Sequence, residues 1–369
     1  MRTIIHFMGM KSTKYGGLEK FMTALVRHND DLRFILVYEE YPVSSEYTNA
    51  LNSSKAVIEI VAFNSMGLLK QFHAYRNLFK RYNPDIVHFH FSTDHIGALA
   101  ARSYGIKQVY KTVHSCLTSG YKEIESYRQL GLGQQIRFAG GLANKMYSRI
   151  LFVSDYTYRQ YEKVFGPSAS YQRIYLGVEQ PEIERELKPD DIGVIPDGYH
   201  VATTIAFAHP LKGVDVLIKA IPQINSTIFM IIGLDDCEYT EGLKSLAAQI
   251  GVNDRIRWIG IKDNVLPYLS ITDIYVQPSR TEALSLAACE ALSLGIPVVG
   301  SNVGGLPEVA SVLFDNEDYC QLAGLLNNLL SDSQKYEELV DDAKLKYRTS
   351  FRVVPSILSY SRCYDNCKP

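Results

Sequence analysis

Two glutamates with seven residues between them stand in the run Ser279-Arg280-Thr281-Glu282-Ala283-Leu284-Ser285-Leu286-Ala287-Ala288-Cys289-Glu290. Glu282 reads as a loop residue and Glu290 as part of the helix that the loop opens. A helix start offers free backbone N–H groups and a partial positive charge on which an anionic phosphate can rest. A carboxylate can accept from two neighbouring hydroxyls at once, so a pair at this spacing suits a sugar ring and a ribose. The plainer alternative makes Glu282 a helix-start charge and Glu290 a solvated position. The apolar neighbours of Glu290, Leu286, Ala287, Ala291 and Leu292, weigh against simple exposure.

These residues need elements to hold them. Short β-rich runs alternate with amphipathic stretches of helical period along the whole chain, the pattern of βα units and parallel sheets. Strands are expected near 2–9, 32–40, 56–63, 85–91, 107–114 and 150–155, then near 201–208, 227–234, 255–261, 273–279 and 296–301. The charged, proline-containing stretch from Pro181 to Asp197 has no strand signal and reads as a linker. The expected fold class is therefore α/β, with two doubly wound Rossmann-like domains, 1–180 and 198–354, facing each other across a cleft. A last helix, about 355–369, is expected to pack back on the first domain.

In open α/β sheets ligands bind beyond the carboxyl ends of the strands. Gly16-Gly17, Lys212-Gly213 and Glu282 each fall just after an expected strand. The pair Gly131-x-Gly133 follows none and reads as a helix break. No Asp-x-Asp triplet occurs, which favours neutralisation of a bound pyrophosphate by protein groups over a divalent metal.

At 369 residues the chain is long enough for two cores. Its net charge of -2 is unlike that of a dedicated nucleic-acid binder, which usually carries a strongly basic domain. No stretch approaches the roughly 20 apolar residues of a bilayer span, and Met1 to Phe7 runs into a strand without the h-region of a secretory signal. A cytoplasmic protein is expected, with its six scattered cysteines reduced. Cys363 and Cys367 lack neighbouring partners for a metal.

Glu-x7-Glu, the following Gly295-Ile296-Pro297-Val298-Val299, and Gly304-Gly305-Leu306-Pro307-Glu308 resemble the donor-binding half of glycosyltransferase family 4, which has the GT-B fold. Gly16-Gly17-x-Glu19, Pro84-Asp85-Ile86-Val87-His88-x-His90 and Lys212-Gly213-Val214-Asp215-x-Leu217-Ile218 extend the resemblance over most of the chain. It implies a retaining transfer of a hexose or N-acetylhexosamine from a nucleotide sugar, commonly a UDP-sugar, without a cofactor or metal. The acceptor would be a saccharide or lipid-linked saccharide, as in capsular or exopolysaccharide assembly, met at the inner face of the membrane where it is lipid-linked.

By the same resemblance Lys212 would meet the pyrophosphate, Glu290 the ribose and Glu282 the transferred hexose. Ala283, Leu284, Ser285 and Leu286 would line sugar and phosphate, the Gly16-Gly17 loop would approach the phosphate, and His114 would lie beside the reacting sugar. Three positions depart from the pattern. Phe207 stands where an arginine is common, Ala283-Leu284-Ser285 replaces Gly-Phe-Gly, and Leu176 replaces an asparagine. Either another cation, Arg280 or His209, supplies the charge missing at Phe207, or donor binding is weaker than usual.

His88 and His90 share one strand face, and a metal site with His114 lacks a spaced acidic or cysteine ligand. The cationic and aromatic helix Leu68 to Tyr82 suits either an anionic membrane surface or ordinary packing with a basic outer face. The rival functions are a non-catalytic GT-B accessory subunit, which would not turn over alone, and a GT-B nucleotide-sugar epimerase, which would act without acceptor.

Overall fold

The computed structural model describes residues 1–54, 56–91, 95–117, 140–181 and 192–365. The chain divides into two compact units, Met1–Leu176 with Val353–Pro369, and Gly177–Arg352.

The first unit holds a seven-stranded parallel sheet ordered β3-β2-β1-β4-β5-β6-β7. Its strands are β1 Arg2–Phe7, β2 Leu32–Tyr38, β3 Val57–Ile60, β4 Ile86–His90, β5 Gln108–Val113, β6 Arg149–Phe152 and β7 Tyr171–Arg173. The second unit holds a six-stranded parallel sheet ordered β10-β9-β8-β11-β12-β13. These strands are β8 His200–Ile205, β9 Thr227–Ile232, β10 Ile256–Gly260, β11 Ile274–Gln277, β12 Val298–Ser301 and β13 Val312–Phe314. Every expected strand is present, and β7 and β13 are additional. Helices cover both faces, so the central strands are buried throughout, as in Thr227–Ile232.

The helix Val353–Asp365 closes the first sheet from beneath. The Tyr110 hydroxyl donates to the Cys363 carbonyl at 2.8 Å, and Tyr364 meets His88 at 2.8 Å. Arg2 donates to the Tyr364 carbonyl at 2.8 Å and pairs with Asp365 at 2.6 Å. Part of the stretch expected to be a linker belongs to the second unit. Arg257 on β10 donates to the carbonyls of Ile192 and Val194, both at 2.9 Å, and Ile192 is buried. Residues 182–191 of that stretch, Gly131-x-Gly133 and Cys367 lie outside the described residues. Cys116, Cys237, Cys289, Cys320 and Cys363 form no disulfide among the described residues.

One core residue of the first unit works against stability. Lys111 on β5 is buried with its ammonium over the rings of Tyr147 and Tyr161, at 5.7 and 5.9 Å from their centres. Burial pulls its pKa down from the usual 10.5 to about 8. Between those values the unfolded chain holds a proton that the folded chain has released, so folding gains as pH rises from 8 towards 10.5. Below pH 8 the full penalty stands. Lys111→Met is expected to stabilise the protein by about 3 kcal/mol at pH 7, with the advantage fading above pH 8. Urea unfolding of both chains at pH 7 and pH 10 checks it; a gain that does not change with pH would assign the effect to packing alone.

Candidate functional site

Within the second unit the loops after β8 and β11 meet. The short helical turn Pro210–Lys212 ends at Gly213, whose φ of 64° is left-handed. A Cβ at Gly213 would collide with the Pro278 carbonyl oxygen, so glycine is what lets the two loops touch. The Arg280 N–H then donates to the Leu211 carbonyl at 2.8 Å. This contact brings Lys212 and Glu282 together: Nζ lies 2.7 Å from Oε2, with both side chains largely shielded from solvent.

The glutamate is held from two other directions. Its carbonyl accepts from Gly305 N–H at 2.8 Å, and Gly304, at φ 58°, leaves room that a Cβ would take from the same carbonyl. Ser279 Oγ lies 3.4 Å from Glu282 Oε2 and accepts from the Gln277 amide at 2.9 Å. Gln277 Oε1 in turn accepts from the hydroxyls of Tyr275 and Ser285, each at 2.8 Å, while the Ser301 hydroxyl donates to the Ser279 carbonyl. Ser285 also caps helix Leu286–Ser293 by accepting from Ala288 N–H at 3.2 Å. That helix carries Glu290, buried at 8% exposure. The buried polar chain from Tyr275 through Ser301 is invisible in the motif, because serines and a glutamine in strand-and-loop sequence carry no signature of their own.

Gly304→Ala is expected to cost about 3 kcal/mol, from left-handed strain added to overpacking. The single tryptophan, Trp258, lies on β10 in this unit and reports its urea unfolding by fluorescence. An unchanged midpoint would show that the Glu282 carbonyl can move away freely.

In the first unit Gly16 precedes helix Gly17–Arg27 and its carbonyl accepts from Lys20 N–H at 2.9 Å. Beneath the loop the buried Glu19 accepts from the Ser12 hydroxyl at 2.9 Å, and burial raises its carboxyl above the ordinary range. His114 follows β5, half-buried, with Phe91 stacked on its ring at 4.4 Å between centres. Phe91 follows β4 with a left-handed φ of 54°. Beside them a cavity of about 550 Å³ opens at the carboxyl ends of β1, β2 and β4, lined by Phe7, Glu39, Asn64, Tyr75, Phe91 and His95 among others.

Residues 15–180 match the family model described as Glycosyltransferase Family 4, and residues 188–346 match that described as Glycosyl transferases group 1. The chain carries one domain matching each of these families, and its fold is GT-B. Its fold superposes on Anabaena HepE in complex with UDP-glucose with a TM-score of 0.80 at 18% identity, over 99% of this chain and 100% of that one. A GDP-mannose-dependent alpha-(1-6)-phosphatidylinositol monomannoside mannosyltransferase of Mycolicibacterium smegmatis is 28% identical over 209 residues, 50% of this chain and 54% of its own. A D-inositol 3-phosphate glycosyltransferase of Acidothermus cellulolyticus is 24% identical, over 69% of this chain and 61% of its own. The chain thus spans about half the length of the first of these relatives.

In this GT-B chain Phe207, 54% exposed, lies against Lys212, whose Nζ is 4.9 Å from the centre of its ring. It brings no charge and instead supports the lysine through a cation–π contact. Arg280 does not serve as the expected spare cation. It makes a two-pronged pair with Asp215 at 2.8 and 2.9 Å and a second pair with Glu317, so its charge is already met by two carboxylates and it clasps the two loops. These pairs, Asp215 foremost, push its pKa up further. His209 spends Nδ1 as the acceptor for Leu211 N–H at 3.1 Å, a role that needs that nitrogen bare. Neither expected substitute for the arginine is placed as a free positive charge.

Proposed function

We propose that the chain transfers a hexose or N-acetylhexosamine, with retention and without a metal, from a nucleoside diphosphate sugar to a saccharide or lipid-linked saccharide. The observation that carries this reading is the Lys212–Glu282 pair held at the carboxyl ends of β8 and β11. Lys212 takes the pyrophosphate as a compact point charge, releasing Glu282 to accept from hydroxyls of the hexose. Glu290 takes the ribose, and the backbone around Ala283, Leu284, Ser285 and Leu286 lines the phosphate and sugar. Gly16-Gly17 and His114 are assigned to phosphate and reacting sugar by resemblance. In that scheme the acceptor hydroxyl attacks from the face the diphosphate leaves, and the departing phosphate takes its proton. The protein contributes position and charge.

The acceptor enters the cavity beside Phe91, where aromatic walls and the Glu39 carboxylate suit the faces and hydroxyls of a sugar. The setting proposed is the cytoplasm, at the membrane face where a lipid-linked acceptor of polysaccharide assembly would be presented. Helix Leu68–Tyr82 buries Tyr75, Leu78 and Phe79 against the core, which favours the packed-helix reading, while Leu68 and Leu69 stay exposed at its start. No helix among the described residues is long and apolar enough to cross a membrane.

UDP, the nucleotide commonest in the family that the chain resembles, competes with the GDP-mannose that the Mycolicibacterium smegmatis relative is named for. A panel of UDP-, GDP- and ADP-sugars, read by thermal shift and by diphosphate release with and without EDTA, decides between them. One donor is expected to stabilise the protein and to be slowly hydrolysed in EDTA. Silence across the panel would leave the accessory-subunit reading, and loss of signal with EDTA would overturn metal independence.

A further inference from the structure

Parallel pairing places His6 on β1 opposite His88 on β4, and the next inward position of β4 is His90. From there a chain of imidazoles runs outward to His114. His6 Nδ1 lies 2.9 Å from His90 Nε2, and His90 Nδ1 lies 2.9 Å from His114 Nε2. The nitrogens of His6, His88 and His90 also approach closely enough to suggest a metal cage. Both nitrogens of His88 are taken, however, by Tyr364 and Thr112 at 2.8 Å each, so the arrangement is a hydrogen-bonded chain.

Burial holds all four rings below the usual histidine range, His90 at about 3, so each is neutral near pH 7. A neutral imidazole has one N–H and one lone pair, and each link of the chain uses one of each. The tautomers are therefore locked together and only two directions exist. If protons point inward, His6 Nε2 carries an N–H; if they point outward, it carries a lone pair. That atom is buried and has no hydrogen-bond partner among the described residues. An orphaned buried N–H is the rarer and costlier state, so the outward direction is favoured. His114 then accepts at Nε2 and carries its proton on Nδ1. Phe91, held in a left-handed backbone state, keeps its ring against the imidazole.

We propose that His90 and His6 are positioning residues that fix His114 in its Nδ1–H tautomer, so that it donates a hydrogen bond to a sugar oxygen. The tautomer stands on the hydrogen-bond chain alone; the sugar oxygen rests on the transferase reading above.

The test is a long-range ¹H–¹⁵N correlation spectrum of the full ¹⁵N-histidine-labelled chain at neutral pH without ligand, with the His114 signals identified by their loss in His114→Asn. The expected spectrum shows the His114 proton on Nδ1; a proton on Nε2 overturns the proposal. In His90→Phe the donor to His114 is gone, and the ring should revert to the Nε2–H form that free imidazole side chains prefer. Transfer should then fall about tenfold, the worth of one hydrogen bond, at unchanged donor KM. His90→Gln, whose amide can accept from His6 and donate to His114, should restore both. A His114 tautomer that is the same in His90→Phe as in wild type would show that His90 does not set it and also overturns the proposal. If the tautomer switches as described but no form transfers sugar, the tautomer assignment stands and the transferase reading falls.

Discussion

Lys212→Ala and Glu282→Ala are each expected to lower sugar transfer by about two to three orders of magnitude, the usual effect of removing a group that meets charge developing in the transition state. Because the two groups neutralise each other at 2.7 Å in a shielded position, each single variant also strands a charge. Loss of activity in the singles is therefore confounded with loss of stability, on the order of 3 kcal/mol each. The double variant Lys212→Ala/Glu282→Ala separates the two effects. It leaves no unpaired charge, so its urea midpoint should return towards wild type while its transfer stays as low as the worse single. Near wild-type turnover in either single would sink the site assignment. A double variant no more stable than the singles would mean that the pair is exposed to water when the donor is absent.

The elements were legible because parallel strands buried on both faces give continuous apolar runs, such as Thr227–Ile232, between helical stretches. The two unforeseen strands, Tyr171–Arg173 and Val312–Phe314, are three-residue edge strands too short to show a period. Motif residues were legible where chemistry and glycine coincide, as at Lys212-Gly213 and Gly304-Gly305. What could not be read is pairing across sequence. Arg280 looked like a free cation because the carboxylates that neutralise it, Asp215 and Glu317, are 65 and 37 residues away. Phe207 looked like a lost charge, and its contact with the Lys212 ammonium emerges only when the turn folds. His6 carries no signal of its own in an apolar strand; its place at the inner end of an imidazole chain depends on the register of β1 against β4, which no single strand reveals.

That buried histidine cluster is expected to make the first unit the more acid-sensitive of the two. Unfolded, each imidazole takes up its proton near pH 6.5, whereas burial keeps His6, His88 and His90 from doing so until the solution is far more acidic. Between those limits the unfolded chain binds more protons, and stability falls as pH falls through about 6.5. Each ring contributes roughly 1.4 kcal/mol per pH unit, so the three fully buried ones together impose a slope of about 4 kcal/mol per unit below pH 6. Far-UV circular dichroism at a series of urea concentrations between pH 7 and pH 5 should show this loss. Trp258 fluorescence, which reports the other unit, should show a shallower dependence. His88→Gln keeps a hydrogen-bonding group against Tyr364 and Thr112 but cannot titrate, and should flatten the circular-dichroism slope by about 1.4 kcal/mol per unit. A slope unchanged by that substitution would place the acid sensitivity elsewhere, with the buried Glu19 carboxyl as a poor substitute, since burial raises its pKa and its protonation in acid favours the folded state.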